Sequence, residues 1–173
     1  MQPAVKRANN LAVVLVLVHL GAAPAARAQR GPSTPDERER AVRVAHTLEV
    51  SPLDENLRAD RQWAMTWLIE VPDIQVKLCP AVLGDFLKSK YKYSPEILAQ
   101  LTLSMAAYGI EHPGQASDPV AQYLAGVEGV LKAYKAILQL KPKAKSAALD
   151  ELVHRQEKGE LKDAVRESAA SCK

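Results

Sequence analysis

The residues best suited to chemistry gather in one short stretch and one loop of this 173-residue chain. Trp63 and Trp67 are one helical turn apart, so their rings can stack as neighbours. Two acids, Glu70 and Asp73, follow on either side of a Val-Pro pair. No other part of the chain has as many aromatic rings beside acids, so we predict that a polar ligand site would lie among Trp63, Trp67, Glu70, Asp73, Tyr91 and Tyr93. A packed aromatic cluster with ordinary solvent-facing carboxylates is the alternative interpretation.

The usual motifs of catalysis and metal binding do not occur in the sequence. The histidines after residue 28 are His46, His112 and His154, and none pairs with another at metal-ligand spacing. His154 and Glu157 are three residues apart on one predicted helix, but two ligands do not make a metal site. There is no G-x-S-x-G and no glycine-rich phosphate loop. We therefore predict no metal, no cofactor and no identifiable catalytic residue.

The first 28 residues are organised like a secretory signal peptide. Lys6 and Arg7 form a basic beginning, residues 11–20 form a short apolar run, and Ala26-Arg27-Ala28 is a small-x-small cleavage site. We expect residues 1–28 to be removed, residues 29–33 to be a flexible lead, and the mature protein to be periplasmic or extracellular. An uncleaved anchor is the alternative, although the apolar run is short for a membrane span.

Removal of this segment changes the charge balance. The whole chain has 23 basic and 20 acidic residues, but Lys6, Arg7 and Arg27 leave with the signal and no acid does. The mature chain is therefore balanced, with 20 of each kind. We predict no general attraction to nucleic acid and no membrane association after cleavage.

Two cysteines, Cys79 and Cys172, remain in the part expected to be exported. An even number of widely spaced cysteines in an oxidising compartment predicts a disulfide. A redox-active thiol is the alternative, although no C-x-x-C occurs. Pairing within one chain would tie the C-terminus to the middle of the chain, whereas pairing between chains would make a dimer.

The fold is predicted to be organised around the segment 94–112. It opens with Ser94 as an N-cap and Pro95 at the first helical position, and Pro113-Gly114 ends it. The segment is apolar on nearly every side, which is typical of a helix buried all round. Its polar residues, Gln100, Thr102 and Ser104, can bond to backbone or to neighbouring helices, and the alternative is that they line a cavity.

Further helices are predicted on both sides of this central one. Thr34, Ser51, Asp118 and Ser146 each precede an amphipathic stretch as a cap. Within the helix that follows Asp118, an apolar seam is flanked by Gly126 and Gly129, a combination that favours close approach of another helix. We predict an all-α fold, a single domain at 34–173, formed as a bundle of six to seven helices.

Two resemblances add to this prediction. The helix ends at Leu48-Glu49-Val50-Ser51-Pro52 and at residues 134–142 resemble the second helix of a tetratricopeptide repeat, which implies paired helical hairpins. Cys79-Pro80, the helix containing Gln100, and Glu111-His112-Pro113 before another apolar helix resemble small exported immunity proteins, which are helical, disulfide-bridged and periplasmic. That resemblance implies inhibition of a secreted toxin. The second cysteine falls later in this chain than in that family.

Three classes of function follow from these patterns. The first is a non-catalytic module that binds a protein or peptide partner in a groove between helices. The second is a small-ligand binder or enzyme that uses the region of Trp63, Trp67, Glu70 and Asp73, and the third is an immunity-type inhibitor. An enzyme should show an enclosed pocket with convergent acids or histidines, whereas a binding module should show a shallower apolar groove.

Overall fold

The computed structural model describes residues 30–172, and the expected signal peptide lies outside the described residues. Within that range every regular element is helical, so the all-α prediction is confirmed. The α-helices are α1 (Pro35–Val50), α2 (Arg58–Glu70), α3 (Ser94–Glu111), α4 (Pro119–Leu140), α5 (Ala147–Glu157) and α6 (Leu161–Ala169). Three 3-10 segments, Glu55–Leu57, Pro80–Lys88 and Pro113–Gln115, connect them.

Local capping signals locate most helix starts correctly. Thr34 forms a capping box with Glu37, Asp118 accepts from the backbone N–H groups of Val120 and Ala121, and Ser146 caps α5. Ser94 is an exception, because α3 begins at Ser94 itself and Tyr93 occupies the cap position. The Ser94 hydroxyl donates instead to the Tyr91 carbonyl at 2.7 Å, which closes the turn before the helix.

One predicted helix begins later in the structure, and one connecting segment bends at a glycine. The helix expected directly after Ser51 starts as a 3-10 turn at Glu55, and α2 begins only at Arg58. The segment Pro80–Lys88 is a 3-10 element interrupted at Gly84, whose φ of 56° and ψ of −134° are not helical. Glycine adopts that conformation without steric cost, so the chain can bend there and bury Val82, Leu83 and Phe86.

Helix α3 is the buried centre of the fold and lies antiparallel to α4. Ser104 of α3 meets Gly129 of α4, whereas Gly109, further along α3, meets Gln122, which lies earlier on α4. A Cβ at Gly129 would lie 2.0 Å from the Ser104 Oγ, and one at Gly126 would lie 3.1 Å from the Leu101 carbonyl oxygen, so glycine at these positions lets the two helices approach closely. This confirms the close approach predicted from the glycines beside the α4 seam.

A disulfide joins Cys79 and Cys172 within the same chain, with their Cα atoms 5.7 Å apart. Cys79 is completely buried just before the 3-10 segment Pro80–Lys88, and Cys172 follows α6. The bond therefore holds α6 against the 3-10 segment and closes the bundle, as predicted. Among residues 30–172, no helix is both long enough and apolar enough to cross a membrane.

Candidate functional site

The predicted tryptophan pair forms, but mainly as part of the core. The rings of Trp63 and Trp67 stack with centroids 5.9 Å apart. Trp67 is 2% exposed and packs with Ala41 and Val71 in a small apolar cluster. The guanidinium of Arg40 covers the Trp63 ring at 3.8 Å, a cation–π contact that leaves less of that ring available to a ligand.

The two predicted acids beside this pair are held in ion pairs and hydrogen bonds. Asp73 accepts from the Ser33 backbone N–H and hydroxyl, both at 2.7 Å, and from Arg38 at 2.9 Å. The backbone hydrogen bond from Ser33 is the main reason why the pKa of Asp73 lies below its ordinary value. Glu70 lies 3.5 Å from Arg30. These contacts fix the start of the described chain against the end of α2.

Trp63, Trp67 and Glu70 line one cavity of about 450 Å³, together with Arg30. Asp73 does not line that cavity, and neither do the other two predicted site residues, Tyr91 and Tyr93. The structure therefore brings together only part of the predicted set at the end of α2.

Tyr91 and Tyr93 lie in a larger groove of about 1010 Å³. One wall is the segment 88–93 before α3, and the other is the loop 141–146 between α4 and α5. The groove is lined by apolar groups as well as charges, and Leu140 on this surface is 61% exposed. The apolar lining residues besides the two tyrosines are Leu140, Pro142, Ala144, Ala147 and Ala148.

Positive charge is concentrated on both walls of this groove. Asp85 is the only acid among its lining residues, and Lys88 pairs with it at 2.7 Å. Lys92 lies over the Tyr93 ring, 5.4 Å from its centroid. All the lining lysines are exposed, and they are Lys88, Lys90, Lys92, Lys141, Lys143 and Lys145. We call this surface the lysine groove.

Two tyrosines, the half-buried Tyr91 and the buried Tyr134, hold the second wall of the lysine groove in place. The Tyr91 hydroxyl donates to the Ala144 carbonyl at 3.1 Å. The Tyr134 hydroxyl donates to the Asp150 carboxylate at 2.6 Å and accepts from the Ser146 backbone N–H at 2.9 Å. Burial raises the pKa of Tyr134 to about 12, helped by the hydrogen bond to Asp150, and burial also raises the pKa of Tyr91. Both hydroxyls therefore remain protonated donors at neutral pH.

A second polar site was not predicted from the sequence. A cavity of about 890 Å³ runs beside α4 and is lined by His46, Glu49, Glu111 and Lys132, among others. The His46 Nε2 lies 3.0 Å from a Glu111 oxygen, and its Nδ1 lies 3.4 Å from a Glu49 oxygen. The same Glu49 oxygen accepts from Lys132 at 2.9 Å. We call these four residues the His46 cluster.

Glu49 is the buried member of the His46 cluster, with its side chain 8% exposed. Its second oxygen accepts from the Ser104 hydroxyl at 3.4 Å, and Ser104 in turn accepts from Gln100. Gln100 also donates to the Ala45 carbonyl at 3.0 Å. The polar residues Gln100 and Ser104 of α3 thus bond to a neighbouring helix, α1, as one of the two predicted roles requires.

The neighbouring carboxylates of Glu111 and Glu49 also change the pKa of His46. Its partial burial is the largest single influence and lowers the pKa, but the hydrogen bonds to Glu111 and Glu49 together outweigh it. The net effect is a pKa above the ordinary value for histidine. The spacing of His46 and Glu49 on α1 was the available sequence signal, but Glu111 is 65 residues from His46 and no local pattern connects them.

The described residues contain no group of three or more His, Cys, Asp or Glu side chains arranged to hold a metal ion. No family model, curated protein or solved structure matches this chain. The geometry of the lysine groove and of the two smaller sites is therefore the basis for proposing a function.

Proposed function

We propose that this protein is an exported, non-catalytic module that binds an acidic segment of a partner protein in the lysine groove. The observation that carries the proposal is the combination of exposed lysines on two walls with a partly apolar lining that includes Tyr91 and Tyr93. Aromatic rings and exposed apolar side chains supply contact area, and the surrounding charges supply specificity and orientation.

The charge distribution supports a local rather than a general attraction. Twelve lysines follow residue 28, and half of them line this one groove. The groove therefore produces a local positive field although the mature chain carries equal numbers of basic and acidic residues. A ligand is attracted by these lysines only if its negative charge lies in or next to the lysine groove, because salt screens charges beyond about 10 Å at moderate ionic strength.

The apolar lining favours a protein segment over a polyanion without apolar groups. Nucleic acid phosphates would pair with the lysines but would leave Leu140 and Pro142 uncovered. A peptide with both acidic and apolar side chains satisfies both parts of the surface. Preorganisation adds to its affinity, because Tyr91 and Tyr134 already hold the loop 141–146 in position.

Export is part of the same proposal. The disulfide between Cys79 and Cys172 is of the kind that persists in oxidising compartments, which supports the expected secretory route. Inhibition of a secreted toxin would be one form of such partner binding and stays a prediction. The small-ligand or enzyme alternative also stays a prediction, and at its predicted position Glu70 and Asp73 are each beside an arginine.

A labelled peptide tests the proposal directly. The probe is a fluorescein-labelled eight-residue peptide of alternating glutamate and leucine, and the protein is the chain from residue 29 with its disulfide formed. We expect an increase in fluorescence anisotropy with a Kd on the order of 100 μM at low salt, weakening several-fold in 0.5 M salt. The matched control is the same peptide with lysine in place of glutamate, which should not bind.

Two results would contradict the proposal. One is equal binding of the glutamate and lysine peptides, which would remove the role of charge. The other is binding to phosphatidylglycerol vesicles without binding to the glutamate peptide, which would make the groove a membrane-contacting surface.

A further inference from the structure

We propose that His46 forms a pH-sensitive link between α1 and the end of α3, which we call the clasp. The clasp is closed when the His46 imidazole is protonated and open when the imidazole is neutral. The clasp consists of Glu49, His46 and Glu111, and it lies in the cavity beside α4 rather than in the lysine groove. It is independent of the proposed partner binding.

The hydrogen-bond geometry is that of a protonated imidazole. Each ring nitrogen of His46 faces a carboxylate oxygen, at 3.0 Å for Glu111 and 3.4 Å for Glu49. A neutral imidazole has a single N–H, so it can donate to only one of these oxygens and must present a lone pair to the other. Only the protonated form satisfies both contacts. Loss of the proton therefore weakens one link of the clasp.

The other charged groups around His46 determine which link weakens. From α4, Lys132 holds Glu49 at 2.9 Å, so Glu49 keeps a cationic partner whatever the state of His46. Within residues 30–172, the Glu111 side chain has His46 as its hydrogen-bond partner. The Glu111 link is thus the sensitive one. The remaining titratable or charged groups that line this cavity are Glu128 on α4, His112 and Asp118 on the connection to α4, and Lys162 and Arg166 on α6.

The clasp is well placed to control how firmly α1 is attached. Helix α1 packs on α3 through small apolar contacts that include Ala45, Leu48 and Ala107. The clasp adds the only ion pair that joins α1 to α3 among the described residues. When it opens, we expect the second half of α1 to separate more often from α3, because only the apolar packing around Leu48 and the hydrogen bonds from Gln100 and Ser104 then remain.

The direction of the pH effect follows from the raised pKa of His46. A group whose pKa is higher in the folded state stabilises that state fully below its unfolded pKa and loses the contribution as pH rises through the folded pKa. The unperturbed pKa of histidine is about 6.5, so the clasp is closed in mildly acidic solution and opens above neutral pH.

Two measurements on the full mature chain test the clasp. The first is an NMR titration of the histidine ring signals, in which the midpoint of His46 should lie above the ordinary histidine value of about 6.5 and Glu111→Gln should lower it. The second is amide hydrogen exchange in residues 44–50, corrected for intrinsic rates. Protection there should fall about threefold or more between pH 6 and pH 8.5.

Variants separate the clasp from general effects of pH. His46→Gln should show low protection at both pH values, whereas the matched variant His154→Gln should behave like the unaltered protein. If His46→Gln does not fold, Glu111→Gln gives the same comparison with the histidine retained. A His46 midpoint at or below about 6.5 would overturn the proposal, and so would an equal pH dependence in the clasp variants and the unaltered protein.

Discussion

The hydroxyl group of Tyr134 is the residue-scale feature on which the lysine groove most depends. It accepts from the backbone N–H of Ser146, which is buried, and donates to Asp150, which is exposed. Ser146 is the cap of α5 and the last residue of the groove loop, so one hydroxyl fixes both the helix start and the loop. Tyr93, in contrast, lines the groove without a hydrogen bond from its hydroxyl to any residue in 30–172.

The replacement Tyr134→Phe should therefore destabilise the protein. It leaves the buried Ser146 N–H without a partner, and such a loss costs about 1–3 kcal/mol of the free energy of unfolding. Urea denaturation measures this loss, and the affinity for the glutamate–leucine peptide should also fall because the loop 141–146 is less well ordered.

Tyr93→Phe is the matched control for this replacement. It removes the same atom from a tyrosine that lines the groove without breaking a hydrogen bond to a described residue, so the free energy of unfolding should change by less than about 0.5 kcal/mol. Equal stability of the two variants would mean that the Tyr134 hydroxyl does not anchor the loop.

At the same scale, the sequence predicted the roles of single residues better than it predicted which residues lie close together in the fold. Gly126 and Gly129 were correctly predicted to mark a close helix approach, because only glycine leaves room for a second backbone. The sequence prediction groups Tyr91 and Tyr93 with Trp63 and Trp67 because aromatic rings beside acids are densest in these two stretches. The intervening 3-10 segment takes the tyrosines to the α4–α5 loop instead, which no local pattern specifies.

At the scale of elements, α6 is the helix that depends most on a covalent bond. It is short, at nine residues, and only Leu161 and Val165 are buried. Its far end is attached through Cys172 to Cys79, across a sequence separation of 93 residues. An isolated helix of this length is marginal in water, so the bond and the packing against α4, α5 and the 3-10 segment must supply its stability.

Removal of the disulfide should therefore destabilise the chain and loosen α6 first. The variant Cys79→Ala with Cys172→Ala should lose up to about 4–5 kcal/mol of the free energy of unfolding, because the open chain regains loop entropy. Hydrogen exchange should show the earliest loss of protection in α6. The unaltered protein under reductant is the control for any effect of the alanine side chains. Unchanged stability after reduction would contradict the structural role of the bond.

Helix starts were predictable where a short side chain binds the first free N–H groups, as at Thr34, Asp118 and Ser146. The form of the segment Pro80–Lys88 was not predictable in the same way. Its apolar spacing fits an α-helix, but the positive φ of Gly84 divides it into two 3-10 turns, and glycine occupies many conformations equally well. Tertiary packing of Val82, Leu83 and Phe86 selects one of them.

At the scale of the whole molecule, charge is close to balanced in total, with 23 basic and 20 acidic residues, and uneven in position. One acid and six lysines line the lysine groove, whereas several acidic and several basic residues line the cavity that contains the His46 cluster. The sequence signal for the groove was the alternation of lysine in 88–92 and again in 141–145. Each run by itself is typical of a solvated loop, and only the fold, which places the two loops side by side, makes them one surface.

A charge-reversal experiment tests the proposed partner binding most directly. The variant Lys90→Glu with Lys143→Glu changes one exposed lysine on each wall of the lysine groove. The control, Lys77→Glu with Lys158→Glu, makes the same change in net charge at exposed positions outside the groove. We predict that the groove variant weakens binding of the glutamate–leucine peptide at least about tenfold in a fluorescence anisotropy titration, while the control changes it by less than about twofold. Equal losses in the two variants, or no loss in the groove variant, would contradict the account.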